Sequence, residues 1–255
     1  MSDLVCRLLI DPPADGAWNM AVDEILLLGV ERTGQPVFRI YQWRPATLSL
    51  GYFQRWQERC RHRPSWSCPM VRRPSGGGAI VHDRELTYCL ALPYGRLPPE
   101  GPSGLYGLVH ESLLDVFHQW GLPAGLWQCA CPTADRQEEP FLCFQRRNRW
   151  DVVVDGPDGE GVKVVGSAQR RTRSALLQHG SILLARSPAA PELPGLSELL
   201  DRFVSPEELW QAWFVRLTDK FRWSWAADAL TEPERAEAQR LAQTKYGTDS
   251  WNLRR

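Results

Sequence analysis

The residue best suited to covalent chemistry in this 255-residue chain is Cys143, in the segment FLCFQRRNRW. Arg146, Arg147 and Arg149 follow it closely, and neighbouring cations lower the pKa of a thiol and so raise its thiolate fraction at neutral pH. A thiolate can attack one thioester to form another, which suits acyl transfer. An unpaired cysteine is also commonly a small buried hydrophobe. The residues alone leave both interpretations open.

A second candidate is the glycine-rich turn within VRRPSGGGAIVHDRELTYCLALP, residues 71–93. Three consecutive glycines between apolar segments are costly to order, and they are tolerated where backbone takes positive φ or approaches a ligand closely. Backbone N–H groups beside Arg72 and Arg73 would bind a carboxylate, a phosphate or a polarised carbonyl. A mobile hairpin tip is the structural alternative. The spacing matches neither common nucleotide-binding fingerprint.

The seven cysteines are an odd number without framework spacing, which favours free thiols over a disulfide scaffold. Cys60 and Cys68 flank His62, but no fourth metal ligand is evident. Cys129 and Cys131 are closer together than ordinary zinc ligands. The sequence therefore predicts no metal site.

Hydrophobic periodicity predicts the elements that must position these residues. The apolar strand patterns around Cys6 and Cys89 predict burial, which keeps a thiol protonated. A Pro/Gly-rich connection is expected over 98–103, a loop with at best a short helix over 55–69 and a hairpin turn over 156–161, with Ser205 as a helix N-cap. The pattern predicts strands over 4–10, 37–42, 47–52, 86–92, 150–154, 162–165 and 174–184, with at least two strands within 71–93. It predicts helices over 18–31, over 106–120, from 205 to 213 and beyond, and over 233–245.

These elements predict an α/β protein of the α+β type, with a mixed, mostly antiparallel sheet and helices packed on it. We expect a single domain over 1–255, with a core at about 4–225 and a C-terminal helix and tail at about 231–255. Lys plus Arg equals Asp plus Glu, at 30 each, so no global charge argues for nucleic acid or membrane. Without a secretory or membrane-spanning segment, a cytoplasmic location is expected.

RRPSGGGAIVHD followed by ELTY resembles the signature of the lipoate and octanoate attachment enzymes, a group that includes lipoate–protein ligases and octanoyltransferases and is related to biotin ligases. Asn19-Met20-Ala21 with Asp23-Glu24 is similar to a helix of that family, and FRIYQWRPATLSLGYFQ to its octanoyltransferase branch. The resemblance covers nearly the whole chain. It implies a biotin/lipoate ligase-like catalytic domain.

The octanoyltransferase branch places its nucleophile in a Cys-Phe pair upstream of GxKxxGSAQ, which matches Cys143-Phe144 and residues 161–169. The resemblance thus implies Cys143 and Lys163 as catalytic residues, with the lysine stabilising negative charge on the thioester carbonyl. His179 is expected either to transfer a proton or to hold a loop. The implied substrate-binding residues are Arg72, Arg73, Ser75, Gly76, Gly77, Gly78, His82, Gly166, Ser167 and Ala168.

The resemblance implies an octanoyltransferase of lipoate biosynthesis that needs no cofactor. It would take octanoate from octanoyl-acyl carrier protein onto Cys143 and pass it to a lysine of a lipoyl domain or of the glycine-cleavage H protein. Two alternatives stay open. SGGGA is closer to the ligase branch, which would require ATP and magnesium, and the family's acidic-Pro-Ser sequence after Cys-Phe is replaced here by residues 145–148, QRRN. That departure leaves room for a non-catalytic acyl- or lipoyl-domain-binding homologue.

Overall fold

The structure, a computed structural model, describes residues 5–128, 139–155 and 161–255. Its strands are β1 (Val5–Ile10), β2 (Val37–Tyr41), β3 (Thr47–Leu50), β4 (Met70–Arg72), β5 (Ile80–His82), β6 (Glu85–Pro93), β7 (Ala124–Leu126), β8 (Val152–Asp155), β9 (Gly161–Arg171), β10 (Ala175–Leu183) and β11 (Ser224–Ala227). Its helices are α1 (Gly16–Thr33), α2 (Gly101–Gln119), α3 (Leu196–Leu199), α4 (Pro206–Phe221), α5 (Glu232–Leu241) and α6 (Asp249–Asn252).

The described strands form a large sheet in the order β11-β1-β2-β6-β10-β9-β8-β7 and a small one in the order β4-β3-β5. In the large sheet β11–β1 and β1–β2 are parallel, and the other neighbouring pairs are antiparallel. The predicted mixed, mostly antiparallel sheet is therefore confirmed. The small sheet was not predicted, and the glycine-rich turn connects its strands β4 and β5.

Helices cover both faces of the large sheet. Side chains of α1 pack with Cys89, Ala91 and Leu177 in one apolar cluster. Side chains of α2 and α4 pack with Phe38 and Tyr88 in another. Because successive strand residues point to opposite faces, each central strand contributes to both clusters, and this explains why β6 and β10 are buried along their length.

The helix ends follow local chemistry. Asp15 caps α1 by accepting from the Trp18 N–H, and Gly34 ends it with φ +72°. Ser205 caps α4 as predicted, accepting from the Glu208 N–H. The predicted connection over 98–103 is wrong in its second half, because α2 begins at Gly101 with Pro102 in its first turn, where proline's missing N–H costs nothing.

Some features of the structure were not predicted, and some predicted features lie outside the described ranges. His82 ends strand β5, and a bend at residues 83 and 84 follows it. Strand β11 was not predicted. Cys129, Cys131 and all but the last residue of the predicted 156–161 turn fall outside the described residues. No helix within the described ranges is long and apolar enough to cross a membrane.

Candidate active site

The glycine-rich turn is joined directly to the segment that carries Cys143. The Ala79 N–H donates to the Phe141 carbonyl at 3.0 Å, and the Cys143 N–H donates back to the Ala79 carbonyl at 2.7 Å. Leu142 and Ala79 form an isolated parallel bridge. Two segments more than sixty residues apart are thereby held as one unit, with the thiol beside the turn.

Gly77 is the glycine of the turn that lies beside the Cys143 sulfur. Its φ of +92° is strained for any residue with a side chain, and a Cβ there would lie 3.7 Å from the Cys143 sulfur and 3.0 Å from a terminal nitrogen of Arg73. That Arg73 nitrogen donates to the carbonyls of Gly76 and Gly78, at 2.7 Å each. Burial lowers the pKa of Arg73 to about 10. Arg73 therefore fixes the shape of the turn.

Lys163 contacts Cys143 from strand β9. Its Nζ lies 3.8 Å from the Cys143 sulfur and 3.4 Å from the Cys143 carbonyl oxygen. The same ammonium forms an ion pair at 2.8 Å with Asp151, and both side chains are buried. The Tyr106 hydroxyl and the Asn148 N–H also donate to this carboxylate. A buried cation held next to a thiol can stabilise a thiolate or an oxyanion that forms beside it.

Gly166 makes room for this lysine. A Cβ at position 166 would lie 2.4 Å from Lys163 Cε and 2.8 Å from its Nζ. The absence of a side chain at this position lets the ammonium fold back over the strand. The GxKxxG spacing in the sequence thus has a steric reason.

A cavity of about 310 Å³ opens beside the thiol, within the size range of small-molecule sites. Aliphatic and aromatic side chains cover part of its wall and suit an acyl chain. The residues that line it are Met20, Tyr41, Trp43, Arg73, Gly76, Gly77, Ile80, His82, Thr87, Cys143, Phe144, Asn148, Gly166, Ser167, Ala168, Gln169, His179, Gly180 and Ser181.

Among the residues expected to bind substrate, Arg72, Ser75 and Gly78 do not line this cavity. The Arg72 guanidinium donates to the carbonyls of Gly51, Gln54 and Asn252 instead. Arg72 thus braces the start of the turn from outside the cavity.

Ser75 connects the glycine-rich turn to strand β10 through its hydroxyl group. Its buried hydroxyl lies 2.5 Å from His179 Nε2, and His179 Nδ1 donates to Asp23 at 3.0 Å. Burial pushes the pKa of Asp23 upward, but the hydrogen bond from His179 and the charge of Arg39 outweigh it and hold that pKa below its usual value. With both ring nitrogens engaged, His179 ties the turn to α1. Of its two expected roles, this arrangement favours the one of holding a loop.

His82 lies in a second polar network on the cavity wall. Its Nδ1 donates to Glu85 at 2.6 Å, its Nε2 is 2.7 Å from the Ser49 hydroxyl, and its ring stacks on Trp43 at 3.9 Å between centroids. Ser49 also accepts from Arg73 at 3.1 Å. His82 is thereby linked to the turn through Ser49 and Arg73.

Arg146 and Arg147, which follow Cys143 in sequence, bind protein groups near it. Arg146 pairs with Glu139 and donates to the Pro140 carbonyl, and Arg147 donates to the carbonyls of Phe144 and Gly161. Lys163, from a separate strand, is a cation that contacts the sulfur within the described residues.

Other thiols differ from Cys143 in burial. Burial raises the pKa of Cys6, Cys68 and Cys89, which matches the expectation of protonated thiols for the two in strands, Cys6 and Cys89. Cys143 is only half-buried and lines the cavity.

The sequence analysis did not identify Asp151, nor the two side chains that contact the Ser167 hydroxyl, His110 and Tyr88. His110 Nδ1 donates to the Trp150 carbonyl, its Nε2 is 2.7 Å from the Ser167 hydroxyl, and burial lowers the pKa of His110 to about 4. The Tyr88 hydroxyl is 2.6 Å from the same Ser167 oxygen. A carboxylate at the start of a predicted strand, close after the cysteine, was the available signal for Asp151.

We predict that Gly77→Val lowers acyl loading far more than its effect on stability explains. Valine at positive φ costs at least about 1–2 kcal/mol, and its branches would extend toward Cys143 and Arg73. Gly34→Val is the matched control, because Gly34 has φ +72° with nothing within 4 Å of its Cβ position. Thermal melting and acyl loading by intact mass are measured together. Equal loading in the two variants would refute the close approach.

Comparisons with known proteins find relatives over most of the chain. The sequence profile of the lipoyl protein ligase A/B catalytic domain matches residues 15–208. The chain is 31% identical over 95% of its length to a protein of Bacillus subtilis named octanoyltransferase LipM, of which 95% is covered. It is 33% identical over 98% of its length to the protein of that name from Brevibacillus brevis, of which 99% is covered.

Solved structures share the fold. A putative lipoate protein ligase from T. acidophilum superposes with a TM-score of 0.77 at 22% identity, covering 98% of this chain and 99% of that one. A lipoate-protein ligase A bound with ATP gives a TM-score of 0.72 at 20% identity, covering 97% and 98%. The expected lipoate ligase-like fold is confirmed.

Proposed function

The chain belongs to the family of lipoyl protein ligase A/B catalytic domains, and from that premise we propose that it is an octanoyltransferase acting through a thioester on Cys143. The observation that carries the proposal is the half-buried Cys143 thiol, 3.8 Å from the Lys163 ammonium in the wall of the cavity. An enzyme that activates a free acid as an adenylate has no need of this thiol. The curated relatives with the same full-length match carry the name octanoyltransferase.

In the first step the Cys143 thiolate attacks the carbonyl carbon of an octanoyl thioester. The carbon–sulfur bond to the donor breaks, and the donor leaves as a thiolate that takes a proton from solvent. Negative charge develops on the carbonyl oxygen, and the Lys163 ammonium stabilises it. Gly76 and Gly77 line the same cavity, and their N–H groups donate to no residue in the described ranges.

In the second step the ε-amine of an acceptor lysine attacks the thioester on Cys143. An amide forms, the amine loses its proton, and the thiolate of Cys143 is regenerated. Because an amide is more stable than a thioester, the step is downhill. The free Cys143 thiolate, next to Lys163, is then ready for another cycle.

We propose octanoyl-acyl carrier protein as the donor and a lipoyl domain or the glycine-cleavage H protein as the acceptor. A lipoylation activity requires such an acceptor lysine, and one structural neighbour is described as a bipartite lipoate protein ligase with its E2 lipoyl domain. The reaction starts from an activated thioester. It therefore needs no nucleotide and no metal ion.

We predict octanoyl transfer from octanoyl-carrier protein to a lipoyl domain with ATP and magnesium omitted, and little or no attachment of free lipoate when both are supplied. The readout is the mass of the acceptor domain under each condition. ATP-dependent attachment of free lipoate that survives Cys143→Ala would replace the transferase by a ligase. Acyl binding without any transfer would identify a non-catalytic homologue.

A further inference from the structure

A groove leads from the cavity beside Cys143 to the protein surface. It encloses about 420 Å³ between the start of α2, the segment before β8 and the end of β9. Asn148 and Gln169 line both the groove and the cavity, so the two spaces meet at these residues. Arg149 and Arg171 line the groove but not the cavity.

The wall of this groove is held in place from both sides. The Trp150 indole N–H donates to the Ser103 hydroxyl at 3.1 Å, and the Trp150 carbonyl accepts from His110 at 2.7 Å. The Arg149 guanidinium lies 4.6 Å from the centre of the Trp150 ring. The tryptophan thus anchors the arginine beside it, which lowers the entropy cost of binding a ligand there.

The groove carries positive charge that the described protein does not neutralise. Arg149 and Arg171 are both exposed, and neither forms an ion pair with a residue in the described ranges. Guanidinium groups bind phosphate oxygens through paired N–H donors. The Asn148 carboxamide also makes no hydrogen bond to a described residue, so it is available to an amide of a ligand.

We propose that this groove binds the pantetheine arm on which the octanoyl thioester is presented, with an amide of the arm at Asn148 and its phosphate at Arg149 and Arg171. The inference rests on the proposed transferase function. The acyl chain fills the cavity and the thioester lies at Cys143, so the arm leaves past Asn148 and Gln169. Arg149 and Arg171 then hold its phosphate at the surface. The groove thereby selects thioesters carried on a phosphorylated arm.

The test compares two small donors, octanoyl-phosphopantetheine and octanoyl-pantetheine, which differ only in the phosphate. The kcat/KM for loading Cys143 is measured by intact mass in the wild type and in Arg149→Ala/Arg171→Ala. We expect the double variant to lose about 10- to 100-fold with the phosphorylated donor and much less with the other. Arg173→Ala removes an exposed arginine outside the groove and is expected to change neither value.

A similar loss with both donors would assign the arginines a purely structural role and overturn the proposal, as would no loss with either. A nucleotide could bring a phosphate to the same arginines, so each reaction is repeated with ATP. Arginine-dependent inhibition by ATP, in a wild type that treats both donors alike, would assign the groove to a nucleotide instead. If folded wild-type protein is loaded by neither donor nor by octanoyl-carrier protein, the proposed function itself fails.

Discussion

Replacing Cys143 with alanine is expected to abolish the octanoyl adduct and to lower transfer by at least about 10⁴-fold, because the reaction loses its covalent intermediate. The wild-type adduct should add one octanoyl mass and should be released by hydroxylamine, which cleaves thioesters. The side chain is half-buried, so the small residue is accommodated with little effect on folding. Intact mass after mixing with octanoyl-carrier protein reads out the adduct, and acceptor mass reads out the transfer.

Cys60→Ala is the matched control, because Cys60 is an exposed thiol outside the cavity. It should load and transfer like the wild type. Normal turnover by Cys143→Ala would show that the thiol takes no part in the reaction. An adduct that moves to another residue in Cys143→Ala would place the nucleophile elsewhere.

Replacing Lys163 with alanine is expected to lower transfer by about 100- to 1000-fold, the usual effect of removing one donor to a developing oxyanion. The ion pair with Asp151 adds a complication, since removing one partner of a buried pair typically costs about 3–5 kcal/mol. A loss of activity in Lys163→Ala alone could therefore come either from weaker stabilisation of the oxyanion or from a less stable protein. The double variant Lys163→Ala/Asp151→Asn separates the two, because it removes the unpaired charge as well.

We expect the double variant to melt closer to the wild type than Lys163→Ala does while remaining as inactive. Lys220→Ala is the control, because Lys220 lies on α4 and pairs with Glu111 at the surface. It should transfer normally. Wild-type kinetics in the folded double variant would remove Lys163 from the mechanism.

The elements that could be predicted were those whose pattern is local. The helix at 18–31 and the strand at 86–92 have their own periodicity, and the structure contains both. β11 was missed because Ser224–Ala227 is short and mostly exposed, and it is a strand only through pairing with β1. Its partner lies more than two hundred residues away, which no local pattern reports.

Some residues of the candidate site could likewise be predicted from the sequence, and others depend on tertiary contacts. The resemblance named Cys143 and Lys163 together, and the structure brings them into contact. The expectation for Arg72 depended on its position beside the glycines, but a side chain's direction is set by tertiary partners, here the carbonyls of Gly51 and Asn252. Asp151 was missed because its role depends on how β8 and β9 pair, with an irregular register at Val152 and Val153.

The partners of Arg72 have a consequence for how the site arises during protein synthesis. The Arg72 N–H donates to the Asn252 side chain, its guanidinium donates to the Asn252 carbonyl, and Trp251 donates to the Arg72 carbonyl. A ribosome makes the glycine-rich turn, Cys143 and Lys163 well before residue 252. The strand that leads into the turn gains these contacts only after residue 252 has emerged. A nascent chain therefore has Cys143 and Lys163 before the strand that leads into the turn has all of its supporting contacts.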